Sequence, residues 1–273
     1  MKKIICIALV AALLLSCLGC AGSPDASSDF TGAEVTFFKA GKADAAVLRT
    51  GNAVILIDTG LQKNSDDLIE ALEAMGVEAI DVLVVSHFDK DHVGGAADIL
   101  ASFPVGTVYQ SNWPKDSDEY DAYVAALAAA DIIPVTVSRT VTFTLDGMTV
   151  SIDGPSRPEY DDDPSNNSSL IASITCGGTT LLFAGDAQDA RLTEYLADYE
   201  RPEGTVILKV PYHGHWQETL PAFLAAVAPD VAVIPCSKSE PEAEEIDAVT
   251  ALLEDLGAGI YLTYNGDISF TVS

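Results

Sequence analysis

The segment His87-Phe88-Asp89-Lys90-Asp91-His92-Val93-Gly94-Gly95 places two imidazoles and two carboxylates within six positions. Nitrogen and oxygen donors at this density are the chemistry of divalent-metal binding. The preceding run, Asp81-Val82-Leu83-Val84-Val85-Ser86, is short, rich in β-branched residues and closed by a polar residue, which predicts a buried strand. The ligands therefore fall on a loop at a strand's C-terminal end, where rigid scaffolds commonly carry function. In an extended loop, residues two apart point the same way. His87 and Asp89 can then face one metal, and the adjacent Asp91 and His92 a second. The competing reading is a solvated acidic loop. Histidine is scarce, 4 in the whole chain, and three of them join one pattern, which favours the metal.

Three further segments bring donors to strand ends. Val54-Ile55-Leu56-Ile57-Asp58-Thr59-Gly60 places a carboxylate after an apolar run, and Leu181-Leu182-Phe183-Ala184-Gly185-Asp186 does the same. Leu208-Lys209-Val210-Pro211-Tyr212-His213-Gly214-His215 adds histidines. Each alone reads as an ordinary turn; in this order they form a site.

The elements that must position these residues alternate between strand-like and helix-like runs. Strands are expected at residues 33–39, 45–50 and 53–58, with a turn at Gly51-Asn52. A helix is expected at 64–75, with Asn64 or Ser65 as cap and Leu68, Ile69, Leu72 and Met75 as its apolar stripe. The strand before His87 leads into a helix at 92–102, a strand at 107–110 and a helix at 116–130. Residues 135–137, 141–145 and 148–153 read as a meander with an Asp146-Gly147 hairpin turn. Residues 154–167, with Pro155, Pro158, Pro164 and three consecutive aspartates, read as a loop. Strands at 170–176, 179–184, 206–210 and 231–235 then alternate with helices at 187–199, 220–227 and 242–256. Residues 260–263 and 268–272 read as a closing hairpin. Sheets with helices on both outer faces predict an α/β sandwich of four layers, αββα.

Residues 1–20 read as a targeting segment. Lys2 and Lys3 precede an apolar stretch too short to span a bilayer comfortably. Leu14-Leu15-Ser16-Cys17-Leu18-Gly19-Cys20-Ala21-Gly22-Ser23 resembles a bacterial lipoprotein signal, with Cys20 (or Cys17) as the acylated residue. Residues 21–32 read as a polar tether and 33–273 as one domain, long enough for a sizeable core. Of 5 cysteines, Cys176 and Cys236 lie outside the signal; both are expected to be buried, foremost as free thiols, with pairing between them in an oxidising compartment as the alternative. The formal net charge of −27, from 41 acidic and 14 basic residues, excludes a basic nucleic-acid-binding face. An anionic substrate would have to be held locally, by metal and a few cations.

With these motifs in place, the chain resembles the metallo-β-lactamase superfamily from about residue 33 to the C-terminus. The branch it looks like is the hydrolase domain attached to ComEC-type DNA-uptake proteins, with its stand-alone relatives. Asp89 stands where the superfamily usually has a second histidine. Asn166-Asn167-Ser168-Ser169-Leu170 stands where most members supply another metal histidine. Lys209-Val210-Pro211-Tyr212-His213-Gly214 resembles that branch's Lys-Val-Pro-His-His-Gly-Ser.

The resemblance implies that Asp91, His92 and His213 hold one metal and that Asp186 bridges to a second. His87 and Asp89 would hold that second ion loosely, its third histidine being replaced by Asn166 or Asn167. Asp58 would orient a ligand imidazole. One or two divalent ions are implied, Zn²⁺ or Mn²⁺, with oxygen-rich sets suiting the harder ion. Such an ion lowers the pKa of its water to roughly 7 and so supplies hydroxide, with Asp91 also assigned a catalytic role. The chain departs from the branch at Tyr212, at His215 and in Cys236-Ser237-Lys238-Ser239-Glu240-Pro241, which lacks a histidine. His215 is expected to replace the lost histidine as proton donor or substrate contact. Lys90, Lys209 and Lys238 are the nearby cations for a substrate phosphate; Lys209 could instead snorkel from its strand.

The expected function is an extracytoplasmic, lipid-anchored, metal-dependent hydrolase of a small or polymeric ester, foremost a phosphodiester of DNA or an envelope polymer. The alternatives are a carbonyl ester, lactone or β-lactam hydrolase, and a non-catalytic metal-binding lipoprotein.

Overall fold

The structure, a computed structural model, describes residues 32–238 and 240–273; the signal segment and all but the last residue of the tether lie outside the described residues. The chain enters through β1 (Ala33–Phe37), β2 (Ala45–Arg49) and β3 (Val54–Thr59), then α1 (Ser65–Ala74) and β4 (Ile80–Val85). Two short helices, α2 (Lys90–Val93) and α3 (Ala96–Ser102), lead to β5 (Val105–Gln110), α4 (Asp118–Ala129) and β6 (Val135–Thr136). The second half holds β7 (Val141–Leu145), β8 (Met148–Asp153), α5 (Pro164–Asn167), β9 (Ile171–Cys176), β10 (Thr179–Phe183), α6 (Asp189–Ala197) and β11 (Thr205–Lys209). It ends with α7 (Leu220–Val227), β12 (Val231–Ile234), α8 (Glu240–Asp255), β13 (Gly259–Leu262) and β14 (Ile268–Val272).

Two sheets result, ordered β14-β1-β2-β3-β4-β5-β6 and β13-β12-β11-β10-β9-β8-β7. The two-residue period of a strand distributes each apolar run between two cores. Ile55, Ile57, Val82 and Val84 pack between the sheets with Ile174, Leu181 and Phe183. The intervening Leu56, Leu83 and Val85 pack outward with Leu68, Leu72, Ile99 and Tyr123. Leu182, Leu208 and Ile234 similarly meet Leu192, Phe223 and Leu253 on the other side. The four-layer αββα sandwich is thus the one expected. Among the described residues no helix is long and apolar enough to cross a membrane. Cys176 and Cys236 are both buried and are not joined in a disulfide.

Three local expectations are corrected. Residues 260–263 and 268–272 do not form a closing hairpin: β13 runs parallel to β12 in one sheet, while β14 pairs with β1 in the other. Residues 135–137 do not join a meander, because β6 adds in parallel to the edge of the first sheet and only β7 and β8 form a hairpin. In both cases local spacing suits a hairpin, but sheet edges far away in the chain supply the partner. The proline-rich loop also closes on a helical turn, α5, capped by Asp163, whose side chain accepts from the Asn166 amide.

The site-bearing strands β3 and β4 are parallel, as are β10 and β11, so their C-terminal ends lie together at one end of the sandwich. The sheets are tied there by the Leu170 amide donating to the Ser86 carbonyl at 2.9 Å. The expected helix at 92–102 is broken at Gly94-Gly95. A Cβ on Gly94 would lie 2.2 Å from the Lys90 carbonyl oxygen, 2.7 Å from the Gln62 nitrogen and 2.8 Å from the Gly60 oxygen. All three are backbone atoms, so the ligand loop packs here only with glycine. Gly94→Ala should therefore lower stability by about 1–3 kcal/mol, the usual range for overpacking. Thermal or urea denaturation would read this as a reduced midpoint; an unchanged midpoint would show that the turn can shift aside.

Candidate metal centre

Asp58, at the end of β3 with φ 54°, accepts three hydrogen bonds. They come from the Ser86 amide and hydroxyl, both at 2.7 Å, and from His92 Nδ1 at 2.8 Å. A carboxylate facing Nδ1 keeps the proton on that nitrogen and leaves Nε2 with a free lone pair. The Thr59 hydroxyl donates to the His92 carbonyl at 2.9 Å, fixing the backbone as well. His87 Nδ1 lies 3.2 Å from the same Ser86 hydroxyl, and its ring centroid is 4.1 Å from that of His92. His213 arrives on a strained turn: Tyr212, His213 and Gly214 have φ of 49°, 53° and 80°. For the two non-glycine residues this left-handed backbone costs roughly 1–2 kcal/mol each, a strain that the surrounding packing must hold.

On the forward side the donors converge. Asp186 Oδ2 lies 3.2 Å from His92 Nε2 and 3.0 Å from His213 Nε2. Asp91 Oδ2 is 3.6 Å from His213 Nε2, and Asp89 Oδ1 is 3.8 Å from His87 Nε2. The Nε2 atoms of all three histidines are buried without a completed hydrogen bond, as is Asp186 Oδ1. Buried polar atoms are seldom left so. His87, His92 and Asp186 offer ligand atoms all within 4.8 Å of one another. Imidazole nitrogens and a carboxylate, deprotonated and held from behind, fit a divalent cation.

Asp44 closes the rear. Its carboxylate lies 3.3 Å from His213 Nδ1 and 3.7 Å from His92 Nδ1, and it pairs with Lys209 Nζ. Asp44, His92 and His213 could also be counted as a metal-binding group. The nitrogens facing Asp44 are Nδ1 atoms, however, and the Lys209 ammonium already supplies a cation there. We therefore place the metal on the Nε2 side. Lys209 is buried, donates to the Gly185 carbonyl at 2.8 Å and lies 3.6 Å from Asp186 Oδ1.

The charge balance sets the protonation of the centre. Burial alone would lower the pKa of His92, but Asp186, Asp44 and Asp58 outweigh it and hold it well above the usual imidazole value. Burial likewise opposes His213, yet Asp186 and Asp44 raise it to about 9. Asp44, against burial, is pulled down to about 2, chiefly by Lys209 and His213. His87 is instead lowered, by burial and then by His92. Without a metal, the cluster draws protons to the Nε2 atoms that a metal would use.

The expected donors His87, Asp89, Asp91, His92, Asp186 and His213 are brought together, with Asp58 behind His92. Asn167 is spent structurally: its Oδ1 accepts from the Arg191 amide and its Nδ2 donates to the Asp162 carbonyl. Asn166 donates to Asp163, while its Oδ1 is buried and unpartnered. His215 stands outside the cluster, its Nδ1 2.7 Å from Glu245 and its ring 4.8 Å from that of Tyr212. Lys90 is exposed on α2, and Lys238 lies over the Tyr264 ring at 4.9 Å. Lys209 corrects two expectations, since it neither snorkels outward nor reaches a substrate; paired carboxylates hold it inside. Asp44 and Lys115, which pairs with Asp89, were not foreseen. Asp44 sits in Gly41-Lys42-Ala43-Asp44-Ala45, where its one signal is a charge immediately before an apolar strand.

A family model described as the metallo-beta-lactamase superfamily matches residues 39–238. The chain is 28% identical over 202 residues to competence protein ComA of Neisseria gonorrhoeae, covering 74% of this chain and 26% of that protein. It is 27% identical over 207 residues to ComE operon protein 3 of Bacillus subtilis, with the same coverage, so it spans about a quarter of the length of these relatives. The metallo-beta-lactamase fold protein YhfI of Bacillus subtilis superposes with a TM-score of 0.60 at 8% identity, over 88% of this chain and 99% of that one.

Three outcomes are expected from this arrangement. Asp58→Asn should weaken metal affinity about 10–100-fold, the usual effect of losing a ligand's carboxylate partner, measured by competition with a chelating dye. Lys209→Met leaves Asp44 buried without its ammonium and should cost about 3–5 kcal/mol, read by denaturant melts. In metal-free protein, folded His213 titrates near 9 against 6.5 for a free imidazole, and His92 is shifted the same way. Their stabilisation is complete below pH 6.5 and lost as pH rises through about 9. Melting midpoints of chelator-treated protein should fall across that window; a flat profile would contradict the charge assignment.

Proposed function

The chain belongs to the metallo-β-lactamase superfamily, and we propose that it is a metal-dependent hydrolase of phosphodiesters acting outside the cytoplasm. The observation that carries the hydrolase reading is the convergence of the buried His92 and His213 Nε2 atoms on Asp186, with a His87 ring nitrogen within 4.8 Å of the same group. The phosphodiester reading draws support from Asp89 and Asn166 standing where relatives commonly carry imidazoles. The similarity to the two competence proteins supports it too. DNA fragments and envelope polymers are the substrate classes this favours. A lipid anchor at Cys20 (or Cys17) would hold the domain in the bacterial cell envelope, outside the cytoplasm.

His92, His213, Asp186 and Asp91 would hold the ion, with His87 beside them. Once bound, it supplies Lewis acidity and lowers the pKa of water toward neutrality. The chain's own groups do the rest. Asp58 holds the His92 ring from behind, and Asp44 stands behind those of His92 and His213. Asp91, whose side chain is 23% exposed, can accept a proton from attacking water at the mouth of the site. His215 has Nδ1 anchored on Glu245, which orients its ring; only as the doubly protonated imidazolium would its Nε2–H donate a proton to the leaving alkoxide. With a net charge of −27 the surface repels polyanions, so local cations at the site must hold a phosphate.

The test is hydrolysis of bis(p-nitrophenyl) phosphate and single-stranded DNA by the purified protein with added Mn²⁺ or Zn²⁺, beside His92→Ala. Metal-dependent turnover, abolished in the variant, is expected. Turnover of nitrocefin or a lactone without the diester would redirect the reading to carbonyl esters. Bound metal without turnover of any ester would favour a binding lipoprotein.

A further inference from the structure

We propose that the Lys115 ammonium takes the place of a second metal ion, so that the chain holds a single divalent cation among His92, His213, Asp186 and Asp91, with His87 beside them. The proposal rests on the metal-binding reading above and specifies its stoichiometry. Asp89 is the carboxylate a second ion would need beside His87. Its Oδ1, the oxygen 3.8 Å from His87 Nε2, accepts from Lys115 Nζ and from the Ser165 hydroxyl. The two donors come from different elements, Lys115 from the connection between β5 and α4 and Ser165 from α5.

The other potential donors to a second ion are few. Asp186 turns Oδ2 toward both His92 and His213, and its Oδ1 faces Lys209. Asn167 is used on the backbone, which leaves the neutral Oδ1 of Asn166 as the one unpartnered amide oxygen of the pair. A divalent ion needs anionic or strongly basic donors. On the His87 side it would have to displace an ammonium from Asp89 to find one. Lys115, 34% exposed on a flexible stem, is a compact charge suited to that position.

Replacing Lys115 by methionine frees Asp89 without removing any ligand. Full-length protein would be saturated with Mn²⁺ and its ions counted per chain by native mass spectrometry. The electron paramagnetic resonance spectrum would distinguish an isolated ion from a coupled pair. Wild type and Lys115→Arg should each hold one uncoupled ion, and Lys115→Met a second, coupled one. Lys115→Gln serves the same purpose if the methionine variant does not fold. Two ions in wild type would overturn the proposal while leaving the metallohydrolase reading intact. One ion in the folded methionine or glutamine variant would overturn the role of Lys115. No ion in wild type would instead defeat the metal reading itself, and this inference with it.

Discussion

The structure depends on keeping three buried carboxylates, Asp44, Asp58 and Asp186, balanced at one end of a sandwich. A buried charge without compensation costs several kcal/mol. Compensation comes from Lys209 on Asp44, from the Ser86 amide and hydroxyl and the His92 imidazole on Asp58, and from two imidazoles on Asp186. The Asp44–Lys209 and Asp186–His92 pairs join elements of opposite sheets. Asp44 follows β1 and Lys209 ends β11, so their pairing fastens the two halves of the chain across the same point at which the ligands meet.

The balance has a direction. Carboxylates stand behind the imidazoles, at the Nδ1 atoms of His92 and His213, and set their protons there. The Nε2 atoms are left facing forward, toward Asp186. A centre arranged in this way is short of positive charge when empty of metal, which is why protons are held so firmly on His92 and His213. The same arithmetic explains why a protein ammonium at Asp89 matters: it changes how much further cationic charge the site calls for.

Much of this was readable along the chain. The apolar alternation of β3, β4, β10 and β11 placed Asp58, His87, Asp186 and His213 at strand ends, and those residues do gather. The same reasoning misplaced β6, β13 and β14, because a strand's pattern states which face is buried and not which edge it joins. The helix at 92–102 was expected as one piece; the backbone contacts around Gly94 break it.

The sequence by itself determined the ligand types, their order and their attachment to strand ends, since these follow from local periodicity and donor chemistry. Only the tertiary structure decided what each ligand faces. Asp44 is unremarkable in its loop until β11 brings Lys209 to it, and Lys209 would read as a surface cation without that pairing. Asp89 is a plain metal ligand in its motif, yet Lys115, 26 residues away, claims it. Such pairings are settled by burial and by the distance between charges in space, and neither quantity is written in a one-dimensional pattern.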